Sequence, residues 1–205
     1  MIVKAAFARG SRERAGSRLG GYFKYIEYRD RAVGENYESR HLFDESNDHV
    51  VRKEAIKDML EHTSTSVNYH TVILSPGENE PVQDLRQWTR EVMEELELQQ
   101  GKDLHWYGVT HYNTDHPHVH VIIAGAGESL ETGEIEPVKL YREDYERLRE
   151  TAKELTDYRF VEYVKELNAF DQVLLESKEI EQGRDVVSGN ANTLENDHDK
   201  GDFDR

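Results

Sequence analysis

Apolar residues recur along this chain with two periods, about 3.6 residues in some stretches and two in others, and their alternation predicts a string of helices and strands. Residues 2–8 (IVKAAFA) read as a first strand. The Gly, Ser and Arg rich stretch 9–17 reads as a mobile loop able to contact phosphates. A helix is expected from about Arg18 to Tyr28, with Leu19, Tyr22, Phe23 and Ile26 as its apolar stripe. After a polar loop over 32–46, with a short strand at 40–43, a second helix is expected over 48–62. There Val51, Ala55, Ile56, Met59 and Leu60 form the apolar side, and His49 and His62 fall at the surface.

Residues 66–74 (SVNYHTVIL) read as a strand that stops at Ser75, Pro76 and Gly77. His70 inside it reads either as a partner or alternative ligand of a metal site, or as a core histidine. The clearest helix opens at Pro81, carries Val82, Leu85, Trp88, Val92 and Leu96 at helical spacing, and closes at Gly101. Two strands then flank the turn residues Asn113, Thr114 and Asp115: 105–112, aromatic and β-branched, and 117–123, which alternates and then becomes wholly apolar. A Gly and Glu loop over 125–134, an edge strand at 136–140 and helices over 142–155 and 158–167 complete the order. The domain is expected to span 1–168, with a helical extension over 169–181. The polar, aperiodic segment 182–205 reads as a disordered acidic tail.

The absence of cysteine removes disulfides and thiolate ligands, so a metal here is held by nitrogen and oxygen. No apolar run approaches the roughly 18 residues of a spanning helix, and the N-terminal residues lack a signal-peptide core; a cytoplasmic protein with no membrane insertion is expected. A net charge of −16 argues against indiscriminate binding to nucleic acid. The charge is uneven, however. Residues 1–31 hold eight basic side chains against three acidic ones, a basic arm on an acidic body that can steer a polyanion to one edge.

Five of the ten histidines lie between Leu104 and Gly125. Alternation along a strand puts His118 and His120 on one face, and a tight hairpin brings His111 opposite His118 at a Cβ separation of about 4.5–5.5 Å. Three imidazoles on one ion, with other positions open, is the layout of a catalytic rather than a structural metal. On the first helix, Arg18, Tyr22, Tyr25 and Arg29 recur at helical spacing, two phenols between two guanidiniums. Cations there lower the cost of a phenolate and hold an arriving phosphate.

The string HYNTDHPHVHVII over 111–123 resembles the third motif of the plasmid relaxases, HUH-type mobilisation nucleases, in the branch that includes the T-DNA border endonuclease. The pattern there is His-x-Asp-x-Asp-His-Pro-His-x-His. KYIE over 24–27 and HTVILSPG over 70–77 are similar to the first and second motifs of that family. The resemblance implies an α+β fold, a central antiparallel sheet of about five strands with helices packed on it. It implies that His111, His118 and His120 bind a divalent ion, Mg²⁺ or Mn²⁺, and that Tyr25 is the nucleophile, with Tyr28 as its rival. Asn113, Asp115, His116 and His70 would be outer partners or alternative ligands. Arg9, Arg12, Arg14, Arg18, Lys24 and Arg29 would meet DNA.

The implied activity is metal-dependent nicking of single-stranded DNA at a transfer origin through a 5′-phosphotyrosine bond, with accessory relaxosome proteins as further partners. Asn113 stands where the family has aspartate, which weakens an outer partner of a ligand histidine. The alternatives are an HUH replication initiator with the same chemistry, a degenerate module that binds single strands without cutting them, and a zinc hydrolase that uses water.

Overall fold

The computed structural model describes residues 2–28, 40–76, 82–112 and 117–157. The order is β1 (Ile2–Ala8), α1 (Arg12–Tyr28), α2 (Arg52–Glu61), β2 (Tyr69–Ser75), α3 (Leu85–Gln100), β3 (Lys102–Asp103), β4 (Trp106–His111), β5 (His118–Ala124), β6 (Ala126–Ser129) and β7 (Ile135–Pro137), followed by a helix, α4, over residues 142–157. The chain divides into units at 1–160 and 161–205. The expected helix over 158–167, the extension over 169–181 and the acidic tail lie outside the described residues, as do Arg29 and the hairpin tip 113–116.

The central sheet is antiparallel with order β1-β2-β5-β4, four strands among the described residues. Strand β5 has a strand on either side and helices above and below, which is why its sequence passes from alternation into an unbroken apolar run. Ile122 and Ala124 join Leu19, Phe23 and Ile26 of α1 and Ala55 and Met59 of α2 in one core. Val119, Val121 and Ile123 join Trp88, Val92 and Leu96 of α3 and Leu148 and Ala152 of α4 in the other. The sheet therefore has an α1/α2 face and an α3/α4 face. The side that carries His118 and His120 is the first.

In α3 the local signals agree. The Asp84 carboxylate accepts the backbone N–H groups of Arg86 and Gln87, both at 3.0 Å, and so starts the helix at Leu85, after the expected proline. Gly101 ends it in the left-handed region, at φ 62°, where its N–H meets the Glu97 and Leu98 carbonyls.

Helix α1 corrects the expected loop over 9–17: it begins at Arg12, so Arg12 and Arg14 stand on a helix. Gly16, Gly20 and Gly21 argue against helix by propensity, at about 1 kcal/mol each. Packing overrides them. Ala15 is buried one turn before Leu19, and a Cβ on Gly16 would lie 3.3 Å from Leu60 of α2, so the small residue lets the two helices close up.

Three further expectations change. The loop expected over 125–134 contains β6, which pairs with β3 and β7 in a separate three-stranded sheet. The short strand expected at 40–43 is reduced to isolated bridges, Leu42 with Val50 and Phe43 with Gly108; a Cβ on Gly108 would lie 2.5 Å from the Phe43 ring, so only glycine admits that ring. His62, expected at the surface, is half-buried with its ring stacked on His105, because the C-terminal end of α2 abuts the start of β4. Among the described residues no helix is long and apolar enough to cross a membrane.

Candidate metal centre

His111, His118 and His120 meet at one end of the β4–β5 pair. The antiparallel register sets His111 against His118 and Val109 against His120. All three imidazoles then project from the α1/α2 face. Ring centroids are 5.1 Å apart for His111–His118 and for His118–His120 and 4.7 Å for His111–His120, with planes inclined by 52–66°. One nitrogen from each ring lies within 4.8 Å of the others. An ion bound at about 2.0–2.1 Å holds its nitrogens roughly 3.4 Å apart, so small ring rotations close the set. His111 and His120 are buried and His118 is half-buried, which makes His118 the exposed corner.

Hydrogen bonds from α1 fix how these rings present themselves. Nε2 of His111 lies 2.7 Å from the carbonyl oxygen of Ile26. A carbonyl only accepts, so the proton sits on Nε2 and Nδ1 is the nitrogen left with a lone pair that could hold an ion. Nδ1 of His120 lies 3.3 Å from the Tyr22 hydroxyl. When that Nδ1–H donates to the phenol oxygen, Nε2 faces the trio as a base. Neutral nitrogen donors without thiolate suit a borderline divalent ion, and a harder one such as Mn²⁺ would complete its shell with oxygen from water or phosphate.

Tyr22, which the sequence placed between the apolar stripe and the face shared with Tyr25, turns to the trio. Its ring is half-buried and meets His120 edge-on, with centroids 6.4 Å apart, a contact that helical spacing alone does not give. Burial, and next the proximity of Tyr69, raise its phenol pKa. On its other side it stacks on Tyr25, with centroids 6.2 Å apart and planes 22° apart. Tyr25, the expected nucleophile, is 42% exposed, and Tyr22 stands between it and His120. Tyr28 is also exposed but lies under the Arg52 guanidinium, 5.5 Å from its ring centre, beside α2.

Other expected residues are not gathered here. His70 projects from the opposite face of the sheet: it pairs with Ile123, and its buried Nε2 donates to the Val138 carbonyl at 3.1 Å. Burial, opposed by that bond, lowers its pKa. Of its two readings, the core histidine is the one this geometry fits, and the alternative ligand is corrected. Asn113, Asp115 and His116 lie outside the described residues. Arg9, Arg12, Arg14, Arg18 and Lys24 are all exposed on or beside α1. Arg18 donates to the Arg9 carbonyl at 3.2 Å, and the Arg9 guanidinium covers the Phe7 ring at 4.7 Å.

Residues 25–159 match the family described as "Relaxase: MobA/VirD2-like, nuclease domain". Among solved structures, the chain is similar to the conjugative relaxase TrwC in complex with oriT DNA, in its metal-bound form. The TM-score is 0.53 at 11% identity, over 81% of this chain and 70% of that one, which is a likeness of fold. No curated protein matches this chain.

Proposed function

This chain belongs to the MobA/VirD2-like relaxase nuclease family and is a DNA-nicking enzyme, and we propose that it nicks single-stranded DNA at a transfer origin by transferring one strand to Tyr25. The observation that carries this reading is the stack of Tyr25 on Tyr22 and of Tyr22 against His120, which joins an exposed phenol to the histidine trio. His111, His118 and His120 are the residues that would hold Mg²⁺ or Mn²⁺. When bound, such an ion polarises the scissile phosphate and stabilises the charge that builds up on its oxygens.

The chain's own residues do the rest. Tyr25 supplies the attacking oxygen: its bond to phosphorus forms as the bond to the 3′ oxygen breaks. The phenolic proton is given up, and the departing 3′ oxygen gains one. Because an aryl phosphate remains a good leaving group, the ends can be rejoined without a nucleotide cofactor. Arg12, Arg14, Arg18 and Lys24 steer the strand along α1, and Arg9 beside Phe7 offers a cation next to an aromatic surface.

Covalent capture tests the reading. The full chain is incubated with single-stranded oligonucleotides spanning transfer-origin nick sites and Mg²⁺ or Mn²⁺, then resolved under denaturing conditions. A protein–DNA adduct is expected that a chelator prevents, that Tyr25→Phe abolishes and that Tyr28→Phe retains. An adduct lost only in Tyr22→Phe or Tyr28→Phe would move the nucleophile. Cleavage with no adduct would overturn the covalent route.

A further inference from the structure

A second cluster of potential ligands lies well away from the trio. His105 immediately precedes β4 and His111 ends it, so the two sit at opposite ends of one strand, about 20 Å apart at roughly 3.3 Å per residue. Asp58 on α2 and His62 at its C-terminal cap are one helical turn apart. Asp58 Oδ1 is 3.2 Å from His62 Nδ1 and 3.1 Å from His105 Nδ1. The hydroxyl of Tyr107 donates to Asp58 Oδ2 at 2.8 Å. The two imidazoles stack with centroids 3.5 Å apart and planes 11° apart. The three side chains are between 15% and 27% exposed, so a small ion can reach them from solvent.

We propose that Asp58, His62 and His105 form a second metal site, which takes a zinc-class divalent ion as a two-histidine, one-carboxylate set with its fourth position open to water. A tetrahedral ion with bonds of about 2.0–2.1 Å separates neighbouring ligand atoms by roughly 3.4 Å, close to the two oxygen–nitrogen distances already present. Tyr107 ties down the other carboxylate oxygen and so orients Oδ1, as hydrogen-bond partners of metal-ligating carboxylates do. Both imidazoles already turn Nδ1 to Asp58, His62 also to the Asp58 backbone carbonyl at 3.0 Å and His105 also to Oδ2 at 3.1 Å, so a dication would take the place of two N–H protons on donors that the fold has gathered. Rotation of the two side chains out of their stack aims both lone pairs at the ion. Two imidazoles and one carboxylate suit zinc, as the three imidazoles of the trio also do, which is why the two sites are counted with the same ion. The bound ion would link the end of α2 to the start of β4, at the end of that strand away from the nicking site.

The full chain, stripped of metal and dialysed against Zn²⁺, provides the test by elemental counting. The wild type is expected to hold two zinc ions, and both His118→Ala/His120→Ala and His62→Gln/His105→Gln one each. In the His118→Ala/His120→Ala variant, zinc at 100 times its Kd should still raise Tm by about 5–10 °C. That variant leaves the second cluster intact and decides the matter even if the His62→Gln/His105→Gln protein fails to fold. No zinc bound and an unmoved Tm in it would overturn the proposal, whatever the outcome of the covalent-capture test.

Discussion

Tyr22 serves the trio through its hydroxyl as well as its ring. With Nδ1 of His120 held against the phenol, Nε2 is the atom left to coordinate, and loss of such a partner typically weakens metal binding by about 10–100-fold. Tyr22→Phe is therefore expected to lower Mn²⁺ affinity at least about tenfold in a calorimetric titration, with adduct formation restored at saturating Mn²⁺. Unchanged affinity with a lower adduct yield would mean that Tyr22 acts on DNA or on Tyr25 instead. A different residue sets a pH dependence of stability. Burial, reinforced by Glu45, pushes Glu97 from 4.5 up to about 7. Below the unfolded pKa the carboxyl is protonated in both states. As pH rises through about 7, the folded protein must ionise a group that the unfolded chain ionised more easily, and stability is lost. The full loss is on the order of 2–3 kcal/mol. Glu97→Gln should therefore match the wild type in urea denaturation near pH 4.5 and exceed it near pH 8.

Helix α1 is the element on which the site depends. It carries the carbonyl that orients His111 and the phenol that meets His120, and it docks through Leu19, Phe23 and Ile26, all fully buried. Phe23→Ala should cost about 3–5 kcal/mol in denaturant unfolding and reduce Mn²⁺ affinity with it, since the ring partners move with the helix. Helix α3 packs on the opposite face. Removing its cap with Asp84→Ala should cost about 1 kcal/mol and leave Mn²⁺ affinity unchanged, a contrast that separates docking of α1 from stability in general. Strand β5 is paired at both edges and takes its cover from α1 and α2 on one face and α3 and α4 on the other.

Over the whole molecule, an acidic chain of net charge −16 exposes Arg12, Arg14, Arg18 and Lys24 along the helix that borders the trio. Under the proposed function these cations meet phosphates, and each released counterion steepens the salt dependence of binding. Arg12→Gln/Arg14→Gln should reduce the slope of log affinity against log salt by roughly 1–2, equally for cognate and scrambled single strands, in fluorescence anisotropy. The hairpin, its trio of histidines, β2 and α3 were legible in the sequence alone, because strand alternation, turn residues and helix caps act between near neighbours. The family motif named the same trio. What only the tertiary structure decided was the start of α1 ahead of Gly16, the second small sheet, the face to which His70 turns, the meeting of Asp58, His62 and His105, and the contact of Tyr22 with His120 across 98 residues. Each of these depends on which surfaces pack against each other, and a period along the chain says which side of an element is apolar without saying what will cover it.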